Sequence, residues 1–307
     1  MQKQANPLLC DIENGMCEIP DGEDQLAVQE QKPSSEKTIK VIYFTDPICS
    51  SCWGIEPQLR KLKLEYGQFI EMEYRMGGLL PDWSYNSGGI SKPSDVAHHW
   101  DEVSVYYDMP IDGDVWLEDP LSSSFPPSIA FKAAQLQDEG KAISFLREIR
   151  EMVFLQKKNI ANREHLVAAV GKVGLDVSQF ELDFEGKARE FFTEDLRLAK
   201  EMGVRGFPSL FFSDNNGNTE FVYGTKPYAF YEIAILKLAP EARKKEYQKS
   251  WESLFTIYPT LTAKEFAELS GTPRLESEQL LDALAIKGNL VKMNTKNGAL
   301  WRLQSKS

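Results

Sequence analysis

Asp46-Pro47-Ile48-Cys49-Ser50-Ser51-Cys52-Trp53 is the stretch that decides how this chain folds. It follows an apolar run, Ile39 to Phe44, with the composition of a buried strand. It opens a segment whose apolar positions Ile55, Leu59, Leu62 and Tyr66 fall at helical spacing, closed by Gly67. Pro57 lies inside that segment, so a kink near Trp53 is expected. Cys49 therefore stands at a helix N-terminus. Unbonded backbone N–H groups and the positive end of the helix dipole there favour thiolate over thiol. Two intervening residues let Cys52 reach back and close a disulfide. The expected chemistry is the making, breaking or reshuffling of disulfides, with Cys49 as the more acidic, reactive sulfur.

Downstream, Phe69 to Met76 reads as a second strand, parallel to the first across a normal βαβ crossover. Residues 79–125 are rich in Gly, Pro and Trp, with one helix predicted over Pro93–Tyr107. Further helices are expected over Pro126–Asp138, along Ala142, Phe145, Leu146, Ile149 and Val153, over Arg163–Val173, and along Ala188, Phe192, Leu196 and Ala199. Ser209-Leu210-Phe211-Phe212, a turn at Asp214-Asn215-Asn216-Gly217, and Thr219-Glu220-Phe221-Val222 spell an antiparallel hairpin. A helix from Pro227 to Leu238 follows. The order β-α-β, helices, β-β-α describes an α/β protein: a thioredoxin fold over residues 39–240, with a helical insertion at about 79–203.

A C-x-x-C pair at a strand-to-helix junction reads as redox rather than metal-binding. A zinc site needs two more ligands, and Cys10 and Cys17 offer them only across a linker and at an unusual C-x6-C spacing. His98 and His99 are adjacent and face different sides of a helix. No metal and no cofactor is expected.

The 307 residues carry a net charge of −11, which argues against a nucleic-acid or membrane-surface binder. No apolar run is long enough to span a bilayer. The N-terminus lacks the apolar core of a signal peptide, so a cytoplasmic location is expected. Residues 1–38 form an acidic tail, eight Asp/Glu against three Lys, that holds Cys10 and Cys17. These two are a candidate second redox pair, and Pro7-Leu8-Leu9 gives the tail an apolar face for docking. Residues 241–307 read as a small winged-helix-like module: a helix over Glu241–Leu254, a capped helix from Thr262 to Gly271, a helix over Ser277–Lys287, and a hairpin around Asn297-Gly298. Its expected recognition helix carries Glu276, Glu278 and Asp282, a poor match for phosphates. Protein docking or dimerisation is favoured there over DNA.

Two stretches, Tyr43 to Trp53 and Gly203-Val204-Arg205-Gly206-Phe207-Pro208, resemble the DsbA-type thioredoxin-like family in its cytosolic FrnE-like branch. The resemblance covers about residues 39–238 and implies a thiol–disulfide oxidoreductase acting on protein or peptide thiols and disulfides. It implies Cys49 as nucleophile, Cys52 as resolving thiol, and Pro208 as a cis-proline beside them, where the backbone at Phe207 pairs with a bound peptide. The pattern Asp-Pro-x-Cys-x-x-Cys-Trp-x-x-Glu-Pro from Asp46 to Pro57 is closer still to the YjbH (SpxH) adaptor group, whose members present a transcription regulator to the ClpXP protease. An adaptor with redox-sensing cysteines is therefore the alternative function. A glutathione-dependent transferase or isomerase is disfavoured because both cysteines are retained. The Ser-Ser dipeptide departs from the family and predicts only a moderate lowering of the Cys49 pKa. Glu56, one turn beyond Cys52, is either the acceptor for the Cys52 proton or a solvated first-turn carboxylate; Phe207 is a candidate for the substrate groove, and Trp53 either lines that groove or, as is favoured, packs under the helix.

Overall fold

The computed structural model describes residues 10–11, 16–18, 38–84 and 91–304. In chain order the strands and helices are β1 (Cys10–Asp11), β2 (Met16–Glu18), β3 (Ile39–Thr45), α1 (Ser50–Gly54), α2 (Glu56–Tyr66) and β4 (Ile70–Met76). Then come α3 (Pro93–Tyr107), α4 (Val115–Glu118), α5 (Phe125–Gln137), α6 (Glu139–Leu155), α7 (Arg163–Lys172), α8 (Val177–Glu185) and α9 (Lys187–Glu201). The chain returns through β5 (Gly206–Phe207), β6 (Ser209–Asp214), β7 (Thr219–Tyr223) and α10 (Tyr228–Leu238). It ends with α11 (Trp251–Ile257), β8 (Thr260–Thr262), α12 (Ala263–Ser270), α13 (Arg274–Ile286), β9 (Leu290–Thr295) and β10 (Gly298–Leu303).

The central sheet has the order β4-β3-β6-β7. β3 and β4 run parallel, from Ile39 opposite Ile70 to Thr45 opposite Met76, while β6 lies antiparallel to β3 with Ser209 opposite Phe44. The parallel pair needs a crossover, and α1 and α2 supply it. These helices form one broken rod: Pro57 in the first turn of α2 has no N–H to donate, and the break falls at Ile55. The fold is thioredoxin-like with a helical insertion, and α3 to α9 occupy the chain between β4 and β5. Among the described residues the insertion shares the core of the sheet. Phe131, Phe145, Ile149 and Phe154 are buried in the same cluster as Val41, Phe44, Trp53 and Leu210.

The C-terminal strand and helix module keeps its own core around Leu254, Phe255, Leu261, Phe266, Leu281 and Trp301. Its sheet has the order β8-β10-β9. The short strand β8 was not anticipated, nor was α8, which starts on the Asp176 cap and buries Phe180 and Phe184. The helix expected over Glu241–Leu254 is instead confined to Trp251–Ile257. Tertiary bonds replace the missing turns: Lys245 N–H donates to Glu65 O at 2.8 Å, Gln68 Nε2 donates to Arg243 O at 3.0 Å, and Lys244 pairs with Glu232 at 2.6 Å. Polar groups satisfied by a neighbouring element have no need of the helical ladder.

Candidate functional site

Cys49 is the N-cap of α1, and its Sγ accepts a hydrogen bond from Cys52 N–H at 3.1 Å. Cys49 N–H in turn donates to Asp46 O at 3.2 Å, so the turn that leaves β3 is fixed on both sides of the sulfur. Both cysteines are thiols and fully buried. The Phe207–Pro208 peptide bond is cis. Because Ser209 pairs with Phe44, Pro208 falls at the same end of the sheet as the Cys49 turn. The Phe207 ring is packed so tightly against Gly77 that a Cβ on that glycine would lie 1.8 Å from Phe207 Cζ. A glycine is required there because any side chain would overlap the ring.

A buried polar chain runs beneath Cys52. Arg150, projecting from α6, has a fully buried side chain whose guanidinium donates to Glu56 Oε1 at 2.5 Å, Thr45 Oγ1 at 2.6 Å and Asp46 O at 3.2 Å. Thr45 Oγ1 donates to Tyr43 OH at 3.1 Å. Burial opposes ionisation of Cys52, but its hydrogen bonding with Cys49, the charge of Arg150, and the hydroxyl pair Thr45 and Tyr43 bring its thiol below the ordinary range. Burial pushes the Cys49 thiol up, as does its bond to Cys52. The expectation that Cys49 is the more acidic sulfur is therefore corrected. Desolvation is the largest cause at Cys49, and the charge of Arg150 acts on both thiols.

Asp46, just beyond β3, is fully buried. Its carboxylate accepts from Ile48 N–H at 3.0 Å, Leu79 N–H at 2.8 Å and Ser124 Oγ at 2.8 Å. Burial nevertheless pushes its pKa up to about 6. Tyr107, from α3, shares a 2.7 Å hydrogen bond with Ser51 Oγ and covers Gly54, where a Cβ would meet its ring at 2.7 Å.

Cys49, Cys52 and Pro208 are thus brought to one end of the sheet. Glu56 is not joined directly to Cys52. Its carboxylate is paired with Arg150, with Arg60 Nε at 3.8 Å, and it reaches the thiols only through Arg150 and Thr45. Trp53 takes the packing alternative and does not line a groove: it is fully buried, stacks on Phe154 at 5.5 Å, donates from Nε1 to Pro110 O at 3.1 Å, and lies under the Arg147 guanidinium at 4.4 Å. Phe207 is also fully buried, and its backbone is paired with Cys17 of β2. His98 is exposed and pairs with Glu102 at 3.2 Å, whereas His99 is buried. Sequence reading missed Arg150, Thr45, Asp46 and Tyr107. Arg150 carried a signal: a cation between Ile149 and Val153 on the apolar stripe of α6 has to find a buried anion or acceptor.

Fold and site together define a thioredoxin-like protein with a dithiol at a helix N-terminus. The family model described as Thioredoxin matches residues 43–233. "ClpXP adapter protein SpxH" of Halalkalibacterium halodurans is 33% identical, aligned over 98% of this chain and 99% of its own. The chain belongs to the DsbA-type thioredoxin-like family, in the branch of the SpxH proteins. Among solved structures, a putative protein disulfide isomerase from Nitrosomonas europaea is similar with TM-score 0.56 and 21% identity, over 66% of this chain and 97% of that one. The cytosolic disulfide reductase DsbM from Pseudomonas aeruginosa is similar with TM-score 0.51 and 23% identity, over 65% of this chain and 100% of that one. Both likenesses concern the fold.

Proposed function

We propose that this chain is an adaptor that presents a protein, a transcription regulator in the group it resembles, to a ClpXP-type protease in the cytoplasm. One observation carries the reading. The similarity to a relative named as a ClpXP adapter extends over 98% of this chain, so it includes the N-terminal tail and the C-terminal module that lie outside the thioredoxin-like match. The test is reconstitution. Purified ClpXP, ATP and the regulator delivered by the SpxH relatives are mixed with and without the chain, and a rise of about tenfold or more in degradation rate is expected. An unchanged rate overturns the reading. A Cys49→Ser/Cys52→Ser variant that still accelerates degradation would place delivery on the protein surface and leave the thiols a regulatory part.

A second reading is favoured by the Cys49 Sγ cap on α1 and the cis bond before Pro208. In this reading the pair performs thiol–disulfide exchange on protein thiols, either as the chain's activity or as a sensor controlling delivery. Insulin reduction with dithiothreitol compares the chain with Cys49→Ser. Loss of turnover in the variant supports exchange at Cys49, and equal turnover in both removes it.

A further inference from the structure

The N-terminal segment lies on the backbone edge that ends at the cis bond. β1 and β2 are antiparallel, with Cys10 opposite Cys17 and Asp11 opposite Met16. β2 is antiparallel to β5, with Cys17 opposite Phe207 and Glu18 opposite Gly206. The three strands form a separate small sheet, β1-β2-β5, and β2 also runs alongside α1, the helix capped by Cys49. A short extended segment added to an exposed strand edge is how many proteins hold a peptide. Here the segment belongs to the chain itself, and the residue opposite the one preceding Pro208 is a cysteine. Residues directly opposite on antiparallel strands have Cα atoms roughly 4.5–5.5 Å apart. That separation lies within the roughly 4.4–6.8 Å Cα range of disulfides. Strand register therefore sets Cys10 against Cys17, and Cys17 against the loop beside the Cys49 turn.

We propose that Cys10 and Cys17 are a second thiol–disulfide centre, seated as a resident substrate of the first, and that the two exchange electrons within one molecule. The proposal rests on reading Cys49–Cys52 as an exchange centre. Starting from a Cys10–Cys17 disulfide, the sulfur of Cys49, once deprotonated, attacks Cys17 sulfur. The Cys17–Cys49 bond forms, the Cys10–Cys17 bond breaks, and Cys10 leaves as a thiolate. Cys52 sulfur then attacks Cys49, the Cys17–Cys49 bond breaks, and Cys17 leaves with the proton that Cys52 gives up. Two electrons have moved from Cys49/Cys52 to Cys10/Cys17, with no other reagent consumed. The second step is assigned to Cys52 because Cys49, not Cys52, is the N-cap residue at the turn. A small disulfide such as oxidised glutathione supplies the first oxidation.

The test uses the full chain. Cys10→Ser/Cys52→Ser leaves Cys17 and Cys49, and Cys17→Ser/Cys52→Ser leaves Cys10 and Cys49. Each is treated with oxidised glutathione, and products are read by intact mass and thiol titration. The first variant is expected to lose both thiols to an intramolecular bond in a monomer, at least about tenfold faster than the second. Equal rates in the two, or glutathione adducts on Cys17 and Cys49 with no bond between them, overturn the proposal. Cys10→Ser/Cys17→Ser separates this failure from failure of the underlying reading. If that variant still closes Cys49–Cys52 with glutathione, the first centre stands and only the relay falls. If it does not, the exchange reading falls as well.

Discussion

Arg147 and Glu265 form a buried bidentate ion pair, Nη1 to Oε1 at 2.6 Å and Nη2 to Oε2 at 3.1 Å, that ties α6 of the insertion to the cap of α12 in the C-terminal module. Glu265 also closes the α12 capping box, accepting from Thr262 N–H at 2.8 Å, and takes Arg60 at 3.2 Å. Arg60 approaches Glu56, and Glu56 holds Arg150 beneath Cys52. One line of buried charges therefore connects the dithiol to the C-terminal module.

Removing Arg147 leaves the Glu265 carboxylate buried with only part of its compensation. Breaking one side of such a pair typically costs roughly 3–5 kcal/mol. Arg147→Ala is expected to lose about that much in urea unfolding, with the C-terminal module released first to limited proteolysis. Burial opposes ionisation of Glu265, but Arg147 and Arg60 hold its pKa below the usual 4.5. A lowered carboxylate pKa contributes stability that is present above the ordinary value and lost as pH falls through the folded one. The gap between wild type and Arg147→Ala should therefore close as pH falls below about 4. A gap that persists in acid would show the pair is not its source.

Arg150 stabilises the Cys52 thiolate and neutralises Glu56 together. Arg150→Met is expected to move the pH midpoint of Cys52 alkylation upward, measured with iodoacetamide where Cys10, Cys17 and Cys49 are serine. Arg150→Lys keeps the charge and should restore part of the shift. A midpoint unmoved in Arg150→Met would mean that Thr45 and Tyr43 suffice.

Gly77→Ala places a methyl group inside the Phe207 ring, 1.8 Å from Cζ. Overpacking of this kind usually costs about 1–3 kcal/mol. Because the displaced ring immediately precedes Pro208, insulin reduction should fall several-fold. Neutral stability together with unchanged turnover would contradict the packing described.

Asp46 has its pKa raised from 3.8 to about 6 by burial. Below the ordinary value it is protonated in both folded and unfolded chains. As pH rises through the window to 6, the unfolded chain releases its proton and the folded one retains it, so stability declines by about 3 kcal/mol at most. Asp46→Asn stays neutral throughout and should flatten the stability difference between pH 4 and pH 7. It also loses one acceptor, because an amide N–H₂ then faces the Leu79 or Ser124 donor. An identical slope in the variant would assign the pH dependence elsewhere.

The local grammar of the chain was enough for its outline. An apolar run, a Cys-x-x-Cys and a helical period gave β3, α1 and the break near Pro57. Thr262 and Gly271 bracketed α12, and the Asp-Asn-Asn-Gly turn gave β6 and β7. These features lie in spacing, caps and turns, whose physics acts over a few residues. Tertiary structure alone decided what surrounds the two sulfurs, since burial and Arg150, about a hundred residues away in sequence, act on both of them. It likewise buried Trp53, unwound the stretch after Pro240 onto Glu65, and laid Cys17 opposite Phe207. Such outcomes depend on desolvation and on pairing between distant segments, and neither is written in the neighbourhood of the residues concerned.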